Sequence, residues 1–300
     1  MPRTKEAIDL IRELMKRLDY PAEAIGYLGK AFDTLSSNPA ALSRFDDAID
    51  KLYLTSGSGF AEDLNAVSEM TGLHRYTVDL LCALAAGRSL RYLYHAKGLD
   101  DALYYDAMRD TRCKLIECKT VYGIWGTFVF DGWSPGFYRM TRFALGRLQY
   151  DVGKNVLGTD GGRLDADCPG VACHIPSSGP LTNEGVFASL KKAYDFFPQY
   201  RVDGKLLVQC HSWLLYTPLI ERMPAGSNVR VFHDLFRIVS LPEEPANGDF
   251  WRFFGTEWRE GVLDEISTDT SLKRAVADML REGKNLGCGI GYILFDGKIR

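Results

Sequence analysis

Apolar residues return every three or four positions through the first third of the chain. Ile8, Ile11, Leu14, Met15 and Leu18 mark one helical stripe, and Leu80, Leu81, Leu84, Leu90 and Leu93 mark another. Breaks at Tyr20-Pro21, Asn38-Pro39, Gly57-Ser58-Gly59 and Gly98 divide residues 4–118 into five or six predicted helices with almost no strand signal between them. Amphipathic helices of this kind bury their stripes only on one another or on the next domain.

After Tyr122 the pattern changes. Strand-like runs are predicted at residues 126–130, 142–152, 171–175, 206–213, 237–241 and 250–254, with a last one near 290–295. Helical patterns intervene at 182–197, 216–235 and 271–282. Such alternation implies a sheet covered by helices, and the expectation is an α+β chain: a helical domain over residues 1–120, then a mixed β-sheet domain over 121–300.

Composition narrows the classes. A chain of 300 residues with 46% hydrophobic and 25% charged residues and a net charge of −3 reads as a soluble globular protein, not a nucleic-acid-coating one. No apolar run approaches the roughly 20 residues that span a bilayer, and the start carries no signal-peptide core, so a cytoplasmic protein is expected. Seven scattered cysteines form no disulfide framework. Cys113/Cys118 and Cys168/Cys173 are spaced wrongly for zinc, and no metal site is expected. Asp160-Gly161-Gly162 reads as a hairpin turn, and Gly287, Gly289 and Gly291 as a bulged strand. Oligomeric state is not legible.

One segment carries a chemical signal. Val171 to Ile175 form an apolar strand, Ser177-Ser178-Gly179 a small-residue turn, and Thr182-Asn183-Glu184 the opening of a helix whose stripe is Val186, Leu190, Ala193 and Phe197. The first amides of a helix lack internal acceptors and its dipole is positive at the same end, so such a turn suits a phosphate. The same residues also read as an ordinary capped helix with Thr182 as N-cap. Neither G-x-x-x-x-G-K-[ST] nor G-x-G-x-x-G is present.

The strings RFALGRLQYDV, CHIPSSGPLTNEG, CHSWLL and PAGSNV, in this order behind a helical half, resemble bacterial N-acyltransferase-like proteins with a GNAT-like C-terminal domain. The resemblance spans most of the chain. It implies strand 4, pyrophosphate loop, helix 3, strand 5, helix 4, strands 6 and 7 across residues 171–254. It also implies an acyl-CoA co-substrate, acetyl-CoA or another, with Ile175, Ser177, Ser178, Gly179, Thr182, Asn183 and Glu184 around its diphosphate. The pantetheine arm then lies where strand 171–175 splays from strand 206–213. A typical GNAT loop reads [RQ]-x-x-G-x-[GA]; here it is Pro176-Ser177-Ser178-Gly179-Pro180-Leu181.

Acyl transfer to an amine needs a base, a polarised thioester carbonyl and a proton for the leaving thiolate. His211, at a strand end, is the first candidate base, and His174 on the neighbouring strand flanks the same opening if both rings share a face. Either ring reads equally as a hydrogen-bonded strand-end residue. The resemblance offers Tyr216 as the acid, against a plain role anchoring its helix to the sheet. Arg147, Gln149 and Trp213 are the candidate contacts to an acceptor, with Arg147 and Gln149 expected on one face of a single strand.

The sequence therefore points to a CoA-dependent N-acyltransferase acting on a small-molecule or peptide amine, with no nucleic acid or membrane partner. The alternatives are a CoA or acyl-CoA sensor without catalysis, and an acyl hydrolase with Cys210 as nucleophile. The adjacent positions of Cys210 and His211 on one strand oppose the hydrolase, since neighbours in a strand face opposite ways.

Overall fold

A computed structural model of the protein describes residues 5–54, 59–157, 159–165, 167–242 and 248–298. The chain folds as two compact units, Met1–Phe143 and Ala144–Arg300.

The first unit is helical. Six long helices, α1 (Lys5–Arg17), α2 (Ala22–Ser36), α3 (Pro39–Leu54), α4 (Phe60–Thr71), α5 (Arg75–Ala96) and α6 (Asp101–Tyr122), precede two single turns, α7 (Phe130–Trp133) and α8 (Pro135–Tyr138). The expected stripes are inward: Ile11 and Met15 of α1 and Leu18 just after it are buried, as are Leu80, Leu81, Leu84 and Leu90 of α5. Gly72 and Gly123 end α4 and α6 in the left-handed conformation that glycine tolerates best. The expected break at Gly57-Ser58 lies outside the described residues. Residues 126–130 form no strand. Gly126 rests so close to the backbone of α5 that a Cβ would meet the Tyr76 carbonyl carbon at 2.4 Å, and the Thr127 amide donates to the Tyr76 carbonyl at 2.9 Å. Those contacts pin the segment to the start of a helix and leave it no strand partner. Among the described residues no helix is long and apolar enough to cross a membrane.

The second unit is built on a seven-stranded sheet. Its strands are β1 (Arg142–Leu145), β2 (Leu148–Lys154), β3 (Pro169–His174), β4 (Arg201–Val202), β5 (Lys205–Ser212), β6 (Arg237–Ser240) and β7 (Gly289–Phe295), in the order β1-β2-β3-β5-β7-β6, with β4 a two-residue hairpin partner of β5. β3 and β5 are parallel, and the β2/β3, β5/β7 and β6/β7 registers are antiparallel. The parallel pair needs a crossover, and α9 (Asn183–Phe196) supplies it.

Three expectations are corrected. Residues 142–152 are a hairpin, because Gly146 at φ +85° turns the chain between β1 and β2. Residues 250–254 are helix α12 (Phe250–Phe254); Phe250 and Phe253 are buried at a spacing of three, where a strand would bury every second residue. The predicted helix over 216–235 is two short ones, α10 (Thr217–Ile220) and α11 (Asn228–Asp234), parted by the Pro224 turn. The last helix, α13 (Ser271–Arg281), matches its prediction.

The sheet faces differ in chemistry. Ser189 of α9 donates to the Leu145 carbonyl at 2.6 Å, accepts from the Leu148 amide at 3.1 Å and lies 3.1 Å from the Tyr150 hydroxyl, so α9 covers the face that carries Tyr150. Registers Tyr150↔Cys173 and Val171↔Val208 put Cys173, Val171, Val208 and, two residues on, Cys210 on that apolar face. The opposite face carries Gln149, Asp151, Ala172, His174 and Gln209. Part of it is roofed by the stretch after β2, where the Val156 amide donates to Gln209 Oε1 at 3.1 Å and Leu164 packs on Leu207 and Tyr292. A separate core of Tyr216, Leu219, Met223, Phe250, Phe253, Val276 and Met279 joins α10, α12 and α13.

Candidate active site

The parallel strands at the centre of the sheet part company before they end. β3 and β5 pair at Gly170↔Leu207, Val171↔Val208 and Ala172↔Gln209, and no further. β3 nevertheless runs on to His174, still paired outward with Gln149, and β5 runs on to Ser212, still paired outward with Gly289. Both flanks of the sheet stay closed while its middle opens, so backbone groups on the inner edges face a gap.

His174 and His211 stand on the two banks. Ala172 and Gln209 are opposite one another and so share a face; two residues on, His174 and His211 project from that same face. His174 Nε2 is 3.0 Å from Asp151 Oδ2, and both side chains are 29% exposed. A carboxylate against one ring nitrogen fixes the imidazole's orientation and tautomer, the arrangement a proton acceptor needs. His211 is exposed. Asp151 had no motif to announce it: its alternation with Gln149 was readable, but its meeting with His174, 23 positions away, depends on strand register.

The loop after β3 leads into α9 as expected. Thr182 is the N-cap, its hydroxyl accepting from the Gly185 amide at 3.2 Å, and Asn183 and Glu184 form the exposed first turn. Ser177, Ser178 and Gly179 are exposed and Ile175 is half-buried. Among the described residues the amides of Ser178, Leu181, Asn183 and Glu184 make no hydrogen bond within the protein, so four donors remain for a ligand. Glu184 sets a negative charge in the same turn and opposes an anion there.

Arg147 is placed quite differently from the expectation. The hairpin turn removes it from the strand face that holds Gln149, and its guanidinium grips the loop instead: Nη1 donates to the Pro176 carbonyl at 2.9 Å, Nη2 to Gly179 at 2.8 Å and Nε to Pro180 at 3.0 Å. Gln149 is buried beside His174 on the polar face. Tyr216 is 3% exposed with its ring in the α10/α12/α13 core, where Gly287 leaves it room; a Cβ there would meet Tyr216 Cε2 at 2.7 Å. Trp213 stacks edge-on against Phe253 at 4.8 Å in the same core. Gln149, Asp151, His174 and His211 thus share one face of the sheet at the opening, while the rings of Tyr216 and Trp213 pack in the α10/α12/α13 core.

Cys210 is buried on the α9 face, away from His211. A hydrogen bond with Cys173, together with burial, pushes its thiol well above the ordinary range, so it stays protonated where a nucleophile would have to ionise. Burial on the face away from His211 opposes the thiol hydrolase. Among the described residues no group of three His, Cys, Asp or Glu side chains is placed to hold a metal ion.

Comparison with known proteins identifies both halves of the chain. Residues 143–293 match the GNAT-like C-terminal domain, and residues 9–140 match the N-acyltransferase N-terminal domain. The chain belongs to this N-acyltransferase family. Among solved structures it resembles a mutant acyltransferase in complex with octanoyl-CoA (TM-score 0.77, 19% identity, covering 98% of this chain and 89% of that one). It is also similar to acyltransferase structures in complex with decanoyl-CoA and teicoplanin (TM-score 0.74, 19% identity) and with CoA and 10C-teicoplanin (TM-score 0.75, 19% identity), each at the same coverage. At this identity the likeness establishes the fold. No curated protein matches the chain.

Proposed function

We propose that this family member transfers an acyl group from acyl-CoA to an amine, with the gap between β3 and β5 as the reaction site. The carrying observation is the early end of β3/β5 pairing beside an imidazole held by a carboxylate. The loop amides and the first turn of α9 receive the diphosphate, and the pantetheine arm runs into the gap, where inner-edge backbone amides meet the thioester carbonyl. The acyl-CoA complexes of the similar structures support this choice of co-substrate.

His174, oriented by Asp151, takes the proton from the acceptor ammonium. The freed amine nitrogen attacks the thioester carbon, a C–N bond forms, and the C–S bond breaks as the tetrahedral species collapses. The attacking nitrogen gives up its second proton to water as the amide forms, the departing thiolate takes a proton from the imidazolium, and His174 is neutral again. A site that only sensed CoA would not need an imidazole fixed by a carboxylate at its edge, which favours the enzyme over the sensor.

The acceptor is a small-molecule or peptide amine, a reading supported by the teicoplanin complex of a similar structure. Acyl length is open from acetyl upward, since octanoyl- and decanoyl-CoA occupy the similar structures. Thiol release from acetyl-, octanoyl- and decanoyl-CoA with a panel of amines tests the proposal. Amine-dependent release that His174→Ala abolishes supports it; none with any pair rejects it.

A further inference from the structure

The phosphate loop of this chain lacks the residue that begins the usual GNAT loop pattern, and the fold brings an arginine to it from elsewhere. Arg147 sits at the β1/β2 turn, yet three of its five N–H donors end on carbonyls of residues 176, 179 and 180. In a trans peptide the carbonyl of one residue and the N–H of the next point in opposite directions. Drawing the Pro176 carbonyl toward the guanidinium therefore turns the Ser177 amide away from it, and drawing the Pro180 carbonyl turns the Leu181 amide away likewise. Pro180 has no N–H, so the peptide after Gly179 exposes no donor at all. Gly179 adopts φ +126°, a conformation open to glycine and strained for other residues, which lets its carbonyl join the same fork.

We propose that Arg147 is the positioning residue of the phosphate cradle. Its fork holds the loop's carbonyls on one side, so that the Leu181 amide is presented on the other beside the Asn183 and Glu184 amides of the first turn of α9, ready for a diphosphate. The inference rests on the acyl-CoA reading above and adds to it the residue that sets the loop's shape. A planar guanidinium suits the task because it spans several acceptors in one fixed geometry, whereas an ammonium is a single point. Building the cradle before the ligand arrives spares the ordering cost at binding.

The test compares wild type, Arg147→Met and Arg147→Lys on acyl-CoA and on the matching acyl-pantetheine, which lacks the diphosphate. The expected result for Arg147→Met is a fall in kcat/KM at least about tenfold larger with acyl-CoA than with acyl-pantetheine, with lysine restoring only part of it. Equal losses on the two substrates would overturn the proposal, because Arg147 would then only hold the fold together. Full restoration by lysine would overturn it too, because charge alone would suffice. Should Arg147→Met fail to fold, the same substrate ratio read on Arg147→Lys decides. If wild type binds CoA without turning over any acyl-CoA, the reaction falls and the cradle is read from CoA affinity by calorimetry, with the same tenfold loss expected. Wild type that binds no CoA overturns both.

Discussion

His174 holds its Nε2 3.0 Å from Asp151 Oδ2 across neighbouring strands, at the point where β3 leaves β5. The pair lies on the polar face of the sheet, with His174 two residues past the last rung that closes the gap. An imidazole so placed is oriented by its carboxylate at the mouth of the opening, which is what proton removal from an amine requires.

Replacing His174 by alanine is expected to lower kcat/KM by about 10²-fold or more, the ordinary worth of a general base. His211→Ala, on the opposite bank, is expected to cost less, and Asp151→Asn to fall between wild type and His174→Ala. Steady-state kinetics on the three variants check the order. A larger loss at His211 than at His174 would move proton removal to the other bank.

Cys210→Ala is expected to leave transfer within about threefold of wild type, because a buried, protonated thiol on the α9 face takes no part in the reaction. Intact-mass spectrometry after mixing with acyl-CoA alone should find no acylated protein. A covalent acyl adduct that Cys210→Ala removes would restore the thiol mechanism.

How far these features were legible in the sequence differs by cause. Helical stripes, β3, β5, β6, β7 and the Thr182 cap arise from local periodicity and residue chemistry, and the fold bears them out. The 142–152 hairpin escaped because strand-forming residues continue on both sides of Gly146, and only its positive φ breaks the strand. Phe250 to Phe254 escaped because a five-residue aromatic run suits either element until tertiary burial selects a spacing. The shared face of His174 and His211 depends on the β3/β5 register, and the grip of Arg147 on residues 29 to 33 positions away depends on the hairpin's orientation. Long-range relations of this kind leave no trace in local pattern.

Gly289 opens β7 against the 3-10 turn after β5, where a Cβ would stand 1.9 Å from the Leu215 carbonyl oxygen. Backbone cannot yield as a flexible side chain does. Gly289→Ala is therefore expected to destabilise the fold by about 3 kcal/mol or more, at the upper end for overpacking. Urea unfolding of the variant measures it, and a midpoint equal to wild type would show that the strand shifts freely.

In the helical unit, burial pushes the Asp79 carboxyl up to about 8, although Arg75 Nη2 lies 2.8 Å away and works in the opposite direction. The unfolded chain loses the same proton near 3.8. Between those values the folded state binds more protons, so this group's contribution is complete below the lower pKa and is lost as pH rises toward the upper one. Asp79→Asn removes the titration. The stability of wild type relative to that variant should fall from about pH 5 to about pH 8, by at most about 1.4 kcal/mol per pH unit. A difference that stays flat over this range would place the carboxylate in its charged form throughout.

The most direct test of the central claim is the structure of this chain in complex with CoA. The account predicts the pantetheine arm between β3 and β5 beyond Ala172 and Gln209, with the diphosphate on the Leu181, Asn183 and Glu184 amides at the start of α9. CoA bound elsewhere, with residues 173–174 and 210–211 paired across a closed sheet, would contradict it.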